Sequence, residues 1–233
     1  MTNVFYEVVE SRRTIRDFLA DPVPTEVLER CIEAACKAPS SSNLQPWEFV
    51  LIENPQKRIE ANHICLNQGP VKTAPVLLAI VTHWAHWRRN RDEILRVFEA
   101  RGPIRPSTRR YYSQIIPLVY TNGPFNLIGF WKPFVGRLLS IFRPTPSLQT
   151  KNDIRVMAHK STALAAATLM LALRAEGFDS CPMEGFDPWR AKNLLNLGSQ
   201  SEVCMFLAVG KRSEKGVWWQ RILIPRVWTF RKI

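Results

Sequence analysis

Helical spacing of apolar positions marks the beginning of the chain. Between Asn3 and Glu10, Val4 and Val8, with neighbouring Phe5 and Val9, fall on one side of a helix that runs into a basic cluster, Ser11 to Arg16. Asp21-Pro22-Val23-Pro24 is a turn, Thr25 is the expected N-cap, and Val27, Leu28, Cys31, Ile32 and Ala35 continue at helical spacing toward Pro39. Glu48 to Ile52 reads as a strand closed by a turn at Asn54-Pro55, and the unbroken apolar run Pro75 to Val81 reads as a strand buried on both faces. Further on, the pattern predicts a long helix over Asp153 to Glu176, apolar enough to be buried on most faces and stopped by Gly177. A short strand at Phe178 to Cys181, a helix over Pro188 to Leu195 and a strand at Val203 to Val209 follow. Helices and strands interleave, which predicts a mixed three-layer α+β domain spanning residues 1–233.

Composition narrows the class. With 46% hydrophobic and 22% charged residues, 8 Trp and 12 Phe, the chain has ample material for a core and is not of the disordered type. The 10 Gly and 17 Pro exclude collagen-like and Gly-rich sequences, and no internal repeat is present. Five cysteines lack paired spacing, and Met1 to Glu10 lacks a basic region followed by an apolar one. A reducing, cytoplasmic setting is therefore expected. His83 and His86 form the one close histidine pair, with no neighbouring carboxylate or cysteine in sequence, so no metal site is expected.

The net charge of +12 is uneven. Residues 84–155 carry 13 basic and 4 acidic side chains, and 211–233 carry 7 and 1. An anionic partner is expected near both segments. From Trp84 to Thr150 the chain is also aromatic and Pro-rich, which reads as helices inserted, over about 84–152, between core elements. Tyr111 to Trp131 is 21 residues without a charge, yet Gln114, Asn122, Asn126, Pro117, Pro124 and two glycines argue against a membrane-spanning helix. Beyond it, Ile128, Trp131, Val135, Leu138, Leu139 and Phe142 recur at helical spacing beside Lys132, Arg137 and Arg143, with Pro133 expected to start a short second helix. This face either covers a pocket or a subunit seam, or makes a peripheral contact with an anionic membrane through 125–143.

Ready-made catalytic devices are missing from the sequence: it has no Gly-x-Gly-x-x-Gly, P-loop, Gly-x-Ser-x-Gly or His-Glu-x-x-His. An enzyme of this kind leaves the reaction to a bound cofactor. Three polar clusters stand out. Arg12, Arg13, Thr14 and Arg16 combine three guanidinium groups and a hydroxyl, a set suited to phosphate with one cation to spare. Pro39 to Trp47, with Ser40, Ser41 and Asn43, is a Pro-bounded loop of hydrogen-bonding groups. Cys181 to Asp187 contains Pro182, Met183, Glu184 and Gly185, a flat apolar surface followed by a residue that permits close backbone approach. Cys181 itself reads as a packing residue, with no cation or His beside it in sequence to lower its pKa.

In this order the clusters resemble the nitroreductase family of FMN-dependent oxidoreductases, over residues 4–83 and 156–226. The resemblance implies a three-layer α/β/α sandwich with a central mixed, mainly antiparallel sheet, acting as a homodimer. It implies phosphate and ribityl contacts from Arg12, Arg13 and Thr14, with Arg16 near the flavin N1 and O2 atoms. Pro39, Ser40, Ser41 and Asn43 would reach the flavin held mainly by the other subunit. Pro182 and Met183 would cover one ring face, Glu184 and Gly185 would present backbone N–H groups, and Lys211 and Arg221 would complete the phosphate site. The implied activity carries hydride from NADH or NADPH through FMN to a small electron-poor acceptor, such as a nitroaromatic or quinone, by a ping-pong mechanism. Reductive dehalogenation and flavin-consuming oxygen chemistry belong to the same superfamily. A different class, a basic module binding membrane or nucleic acid, would explain the charge but not the three clusters.

Overall fold

The computed structural model describes residues 3–121, 127–142, 144 and 150–233. Four strands form the sheet: β1 (Trp47–Leu51), β2 (Val76–His83), β3 (Asp179–Met183) and β4 (Ser201–Gly210). Their order is β1-β2-β4-β3, and all three strand pairings are antiparallel. The parallel element is a single bridge between Thr14 and Ser180 at the β3 edge.

Alternation along β2 produces the layers. Leu77, Ala79 and Val81 face one core with Phe206 and Ala208, whereas Leu78 and Ile80 face a second core with Leu207 and Val209. Because both faces are covered, every one of these side chains can be apolar. The first layer contains α3 (Pro55–Ile64), α4 (Gly69–Thr73) and α10 (Pro188–Leu194). The opposite layer is α2 (Thr25–Cys36) and α9 (Lys151–Ala175), packed on each other. The short helix α1 (Val4–Ser11) touches α9.

Local chemistry sets the ends. Asn3 Oδ1 accepts from the Phe5 N–H to begin α1, and Thr150 and Asp153 form a reciprocal capping box at the start of α9. At the end of α9 the Phe178 N–H donates to Leu173 O and the Gly177 N–H to Arg174 O, with Gly177 at φ +85. That is a Schellman closure, which needs the left-handed backbone glycine adopts without penalty.

Several expectations are corrected. Pro24, not Thr25, is the cap of α2: its carbonyl accepts from Val27 and Leu28, and no side chain caps the helix. Asn54-Pro55 opens a helix rather than a turn, with Asn54 Oδ1 accepting from Lys57 N–H and Pro55 in the first turn. Helix α3 escaped the sequence pattern because it buries only Ala61 and Ile64. Helix α9 is buried along one stripe, Ile154, Ala158, Ser161, Thr162, Ala165, Ala166, Leu169 and Leu173, while Val156 and Leu164 are exposed. Its alanines raise hydropathy without requiring cover on every side.

The segment between β2 and α9 is helical, as its composition implies: α5 (Trp87–Ala100), α6 (Pro106–Arg110), a π-turn at Tyr111–Ile115, α7 (Ile116–Tyr120) and α8 (Leu127–Ser140). Trp87, Tyr112 and Ile116 form a small core of their own with Leu44. Pro133 does not start a helix, because α8 runs through it. Lys132 is turned inward, its Nζ donating to Val119 O at 3.0 Å and Thr121 O at 2.5 Å. Asn122, Pro124, Asn126 and Arg143 lie outside the described residues, as do 125–126 of the expected membrane-facing stretch.

Asp179, the first residue of β3, has a side chain only 2% exposed and faces two arginines. Arg212 donates through Nε at 2.7 Å and Nη2 at 2.5 Å, and Arg174 of α9 through Nη1 at 3.2 Å. Asp179→Ala leaves both guanidinium groups without their carboxylate and should destabilise the protein by about 3 kcal/mol, toward the low end of the range for a broken buried pair because the arginines are partly solvated. Urea denaturation measures this, and a loss below about 1 kcal/mol would contradict the assignment.

Candidate functional site

The first cluster is built at the β3 edge of the sheet. Ile15 is fully buried, and its N–H donates to Ser180 O at 3.2 Å beside the Thr14–Ser180 bridge. The next N–H, that of Arg16, donates to Gly216 O at 2.8 Å, so the C-terminal tail lies along the other side of the same segment. Only glycine permits that approach, since a Cβ on residue 216 would stand 2.6 Å from Asp17 O.

This clamping places Arg12, Arg13, Thr14 and Arg16 around one open basin of about 330 Å³, whose far wall is Trp218, Trp219, Gln220, Arg221 and Ile222. The four residues of the cluster and Arg221 are all half-buried. Burial, then the neighbouring guanidinium groups of Arg221 and Arg13, hold the Arg12 pKa below its usual value. Like charges gathered in a partly desolvated basin call for an anion, and a dianionic phosphate is the size and charge that three guanidinium groups match. Arg221 also closes the C-terminal end of α1, because its Nη2 donates to the carbonyls of Val9, Glu10 and Arg12. Arg13 Nη2 donates to Trp219 O, tying the tail to the cluster.

Arg16 joins the first cluster to the third. Its guanidinium lies 5.5 Å over the Trp218 ring, and its Nη1 lies 3.7 Å from Cys181 Sγ. A cation therefore does stand beside Cys181, contrary to what the sequence suggests. Burial still dominates and pushes the thiol pKa up, with Arg16 opposing it. Two residues on, Met183 is buried and Pro182 half-buried, while Glu184 and Gly185 are exposed past the end of β3. Gln68 Nε2 donates to Gly185 O at 2.7 Å and holds that backbone in place.

Two predicted groups lie elsewhere. Lys211 does not line the basin: its Nζ is 3.7 Å from Asp21 Oδ1 and half exposed. It follows β4 by one residue, and pairing of its carbonyl with Leu19 N–H directs it away from Arg12. Pro39, Ser40, Ser41 and Asn43 precede β1, at the opposite edge of the sheet from β3. The loop is firmly held there. Ser40 Oγ accepts from Gln45 N–H at 3.1 Å, Ser161 Oγ accepts from Ser41 N–H at 3.2 Å, and Tyr112 Oη donates to Ser42 O at 3.1 Å. Asn43 also lines a groove of about 930 Å³ between α2 and α5, with Trp47 and Phe49.

Trp218, Trp219 and Gln68 were missed in the sequence. A Trp-Trp pair two residues before Arg221 in a basic tail is a signal for the first two, whereas nothing local marks Gln68. The histidine pair has a structural explanation. The rings of His83 and His86 stack at 4.2 Å, and His83 reaches Ser201 Oγ through Nδ1 at 2.7 Å and Glu48 Oε2 through Nε2 at 2.6 Å.

A model of the nitroreductase family matches residues 9–211. The chain belongs to the nitroreductase family. Among curated relatives in that family, Protein DrgA of Synechocystis sp. is 29% identical over 210 residues, covering 90% of this chain and 84% of that protein. A protein named NADH dehydrogenase from Thermus thermophilus is 26% identical and covers 94% of this chain and 92% of its own length. The nitroreductase fold is shared with a structure from Exiguobacterium sibiricum solved in complex with FMN, at TM-score 0.73 and 20% identity, covering 100% of this chain and 98% of that one.

Thiol reactivity tests the balance of burial and charge at Cys181, beside Arg16. Cys36 is exposed and Cys181 is fully buried with a raised pKa. Iodoacetamide at pH 8 should therefore label Cys36 of the folded protein first and leave Cys181 unmodified, as read by mass spectrometry. Equal labelling rates would show that Arg16, not burial, governs the thiol.

Proposed function

We propose that this member of the nitroreductase family is a homodimeric FMN-dependent oxidoreductase that uses NADH or NADPH to reduce a small electron-poor acceptor. The observation that carries the reading is the basin at the β3 edge, where Arg12, Arg13 and Arg221 crowd together with too few carboxylates to neutralise them. Only Glu10, at 3.8 Å from Arg221, approaches this group among the described residues. The basin fits the phosphate of FMN, and the family match and the FMN-bound relative of like fold support that ligand. There is no dinucleotide fingerprint to receive an adenosine half.

The residues divide the work. Arg12 and Arg13, with the Thr14 hydroxyl, would hold the phosphate by charge-assisted hydrogen bonds. Arg16 would stand at the ring system, where Trp218 and Cys181 keep it partly dry and so make its positive charge felt strongly. Pro182 and Met183 would form an apolar floor, and Glu184 and Gly185 would offer backbone N–H groups held by Gln68. Bound FMN would supply a two-electron carrier that accepts hydride from the nicotinamide and passes it to the acceptor in a ping-pong cycle. Lys211 contributes at most long-range charge from its place beside Asp21.

The homodimer rests on exposed apolar surface and on topology. Val4, Phe5 and Tyr6 of α1, Val156 and Leu164 of α9, and Trp218, Trp219, Ile222, Leu223, Val227 and Trp228 of the tail are all exposed in the single chain. The Ser40 loop, at the edge of the sheet opposite the basin, would serve the flavin site of a partner subunit.

Arg12→Ala should weaken FMN binding about 10- to 100-fold, the worth of a charge-assisted hydrogen bond to phosphate, as read by fluorescence titration of the apoprotein. Arg16→Ala should keep most of the affinity and lower the reduction potential measured by dye equilibration. A protein that neither purifies with FMN nor takes it up would defeat the reading.

Sedimentation at micromolar concentration should show a dimer. A flavin-loaded monomer would remove the role given to the Ser40 loop.

A further inference from the structure

In its described side chains helix α8 is turned inside out. In a helix on the surface of a water-soluble domain the apolar stripe faces the core and the polar residues face solvent. Here the described side facing the protein carries Lys132 and Gly136, both buried, with Lys132 bonded to the carbonyls that end α7. Trp131, Phe134, Val135, Leu138 and Leu139 recur at i, i+3 and i+4 on the outside, and Phe134 is 63% exposed. Ile141 and Phe142 continue that surface past the helix end at 72% and 81% exposure. A lysine anchoring a helix by its inner side while seven large apolar residues face outward means that something apolar covers the outer side.

Charge identifies the cover. From residue 100 to residue 152 there are 8 Lys and Arg and no Asp or Glu. Arg137 stands within the apolar stripe, exposed, and among the described residues Arg101, Arg105, Arg110 and Arg137 take part in no ion pair. A second copy is a poor occupant, because a two-fold contact through α8 sets this all-basic segment against itself. Nucleic acid would engage the arginines and could stack on the rings of Trp131 and Phe134, but it offers nothing to Val135, Leu138, Leu139 and Ile141. A bilayer surface rich in anionic lipid satisfies both properties at once. Its acyl boundary takes the aliphatic and aromatic side chains, and its headgroups neutralise the arginines.

We infer that α8 and the turn after it, Trp131 to Phe142, form a peripheral docking surface for an anionic membrane. The helix lies in the plane of the interface, with its inner side held to α7 by Lys132. Trp131 and Phe134, whose rings meet edge to face at 6.2 Å, provide the aromatic contact at headgroup depth. Nothing in this surface draws on the residues of the arginine basin, so membrane binding and flavin binding are separable.

The test is flotation of the full-length protein, as purified, with two kinds of vesicle: phosphatidylcholine alone, and phosphatidylcholine with about a third phosphatidylglycerol, a surface that attracts basic residues. The protein should float with the anionic vesicles at low salt and show at least about tenfold weaker binding to neutral vesicles or at high salt. Arg137→Ala should weaken binding about fivefold. Phe134→Ser/Leu138→Ser/Phe142→Ser should abolish flotation while leaving the circular dichroism spectrum and the sedimentation coefficient unchanged. Phe142→Ser alone, at a position beyond the helix, should weaken binding several-fold without any effect on folding. Failure to float with anionic vesicles at low salt overturns the proposal. So does flotation that the serine substitutions leave unchanged. A triple variant that falls apart into monomers assigns the face to a second copy, and retention of single-stranded DNA without vesicle binding assigns it to nucleic acid; either result overturns it as well.

Discussion

The carboxylate of Asp179 is the point on which the arginine basin depends. It begins β3, receives Arg174 from the last turn of α9, and receives Arg212 from the segment that leaves β4. The same two arginines also reach α1: Arg174 Nε donates to Ser11 Oγ at 3.0 Å, and Arg212 Nη2 to Ser11 O at 3.1 Å. One buried anion thus fixes where α1 ends, and the next residue along is Arg12. A buried carboxylate without partners would be costly, so four separate pieces of chain have to converge on it.

That convergence determines the electrostatics next door. The two arginines on Asp179 share one carboxylate, whereas Arg13 and Arg221, a few residues away, are held beside Arg12 by backbone carbonyls and keep their charge available. Arg221 donates to carbonyl oxygens and Arg13 to Trp219 O, interactions that position guanidinium groups without cancelling them. Two arginine groups so near each other therefore do opposite work, one closing the fold and the other creating a demand for an anion.

The two edges of the sheet have different characters for the same topological reason. In the order β1-β2-β4-β3, the edge at β3 is lined by the N-terminal segment and the tail, both basic, and the edge at β1 opens on the groove holding Asn43, Trp47 and Phe49. The loop Pro39 to Trp47 is tied down by hydrogen bonds to Ser161 and Tyr112, and it lies at the edge of the sheet opposite the arginines. In the proposed homodimer the loop of one copy would serve the basin of the other.

Much of the architecture was legible in the residues. The apolar run Pro75 to Val81 required a strand covered on both faces and Gly177 had to end a helix, because each follows from burial or backbone geometry over a few neighbouring positions. Helix α3 was not legible, since two buried residues make no periodic signal, and Pro24 took the capping place by backbone rather than side-chain chemistry. Residue type and order along the chain likewise put Arg12, Arg13, Thr14 and Arg16 in one polar cluster, and the structure keeps the four around one basin. Only the tertiary structure decided which distant residues join them. Trp218 and Arg221 are brought in by Gly216 and by the pairing on Asp179, Lys211 is turned toward Asp21, and Lys132 points inward although its neighbours face out. These outcomes depend on which carbonyls and carboxylates lie within about 3 Å after folding, a distance that spacing in sequence does not encode.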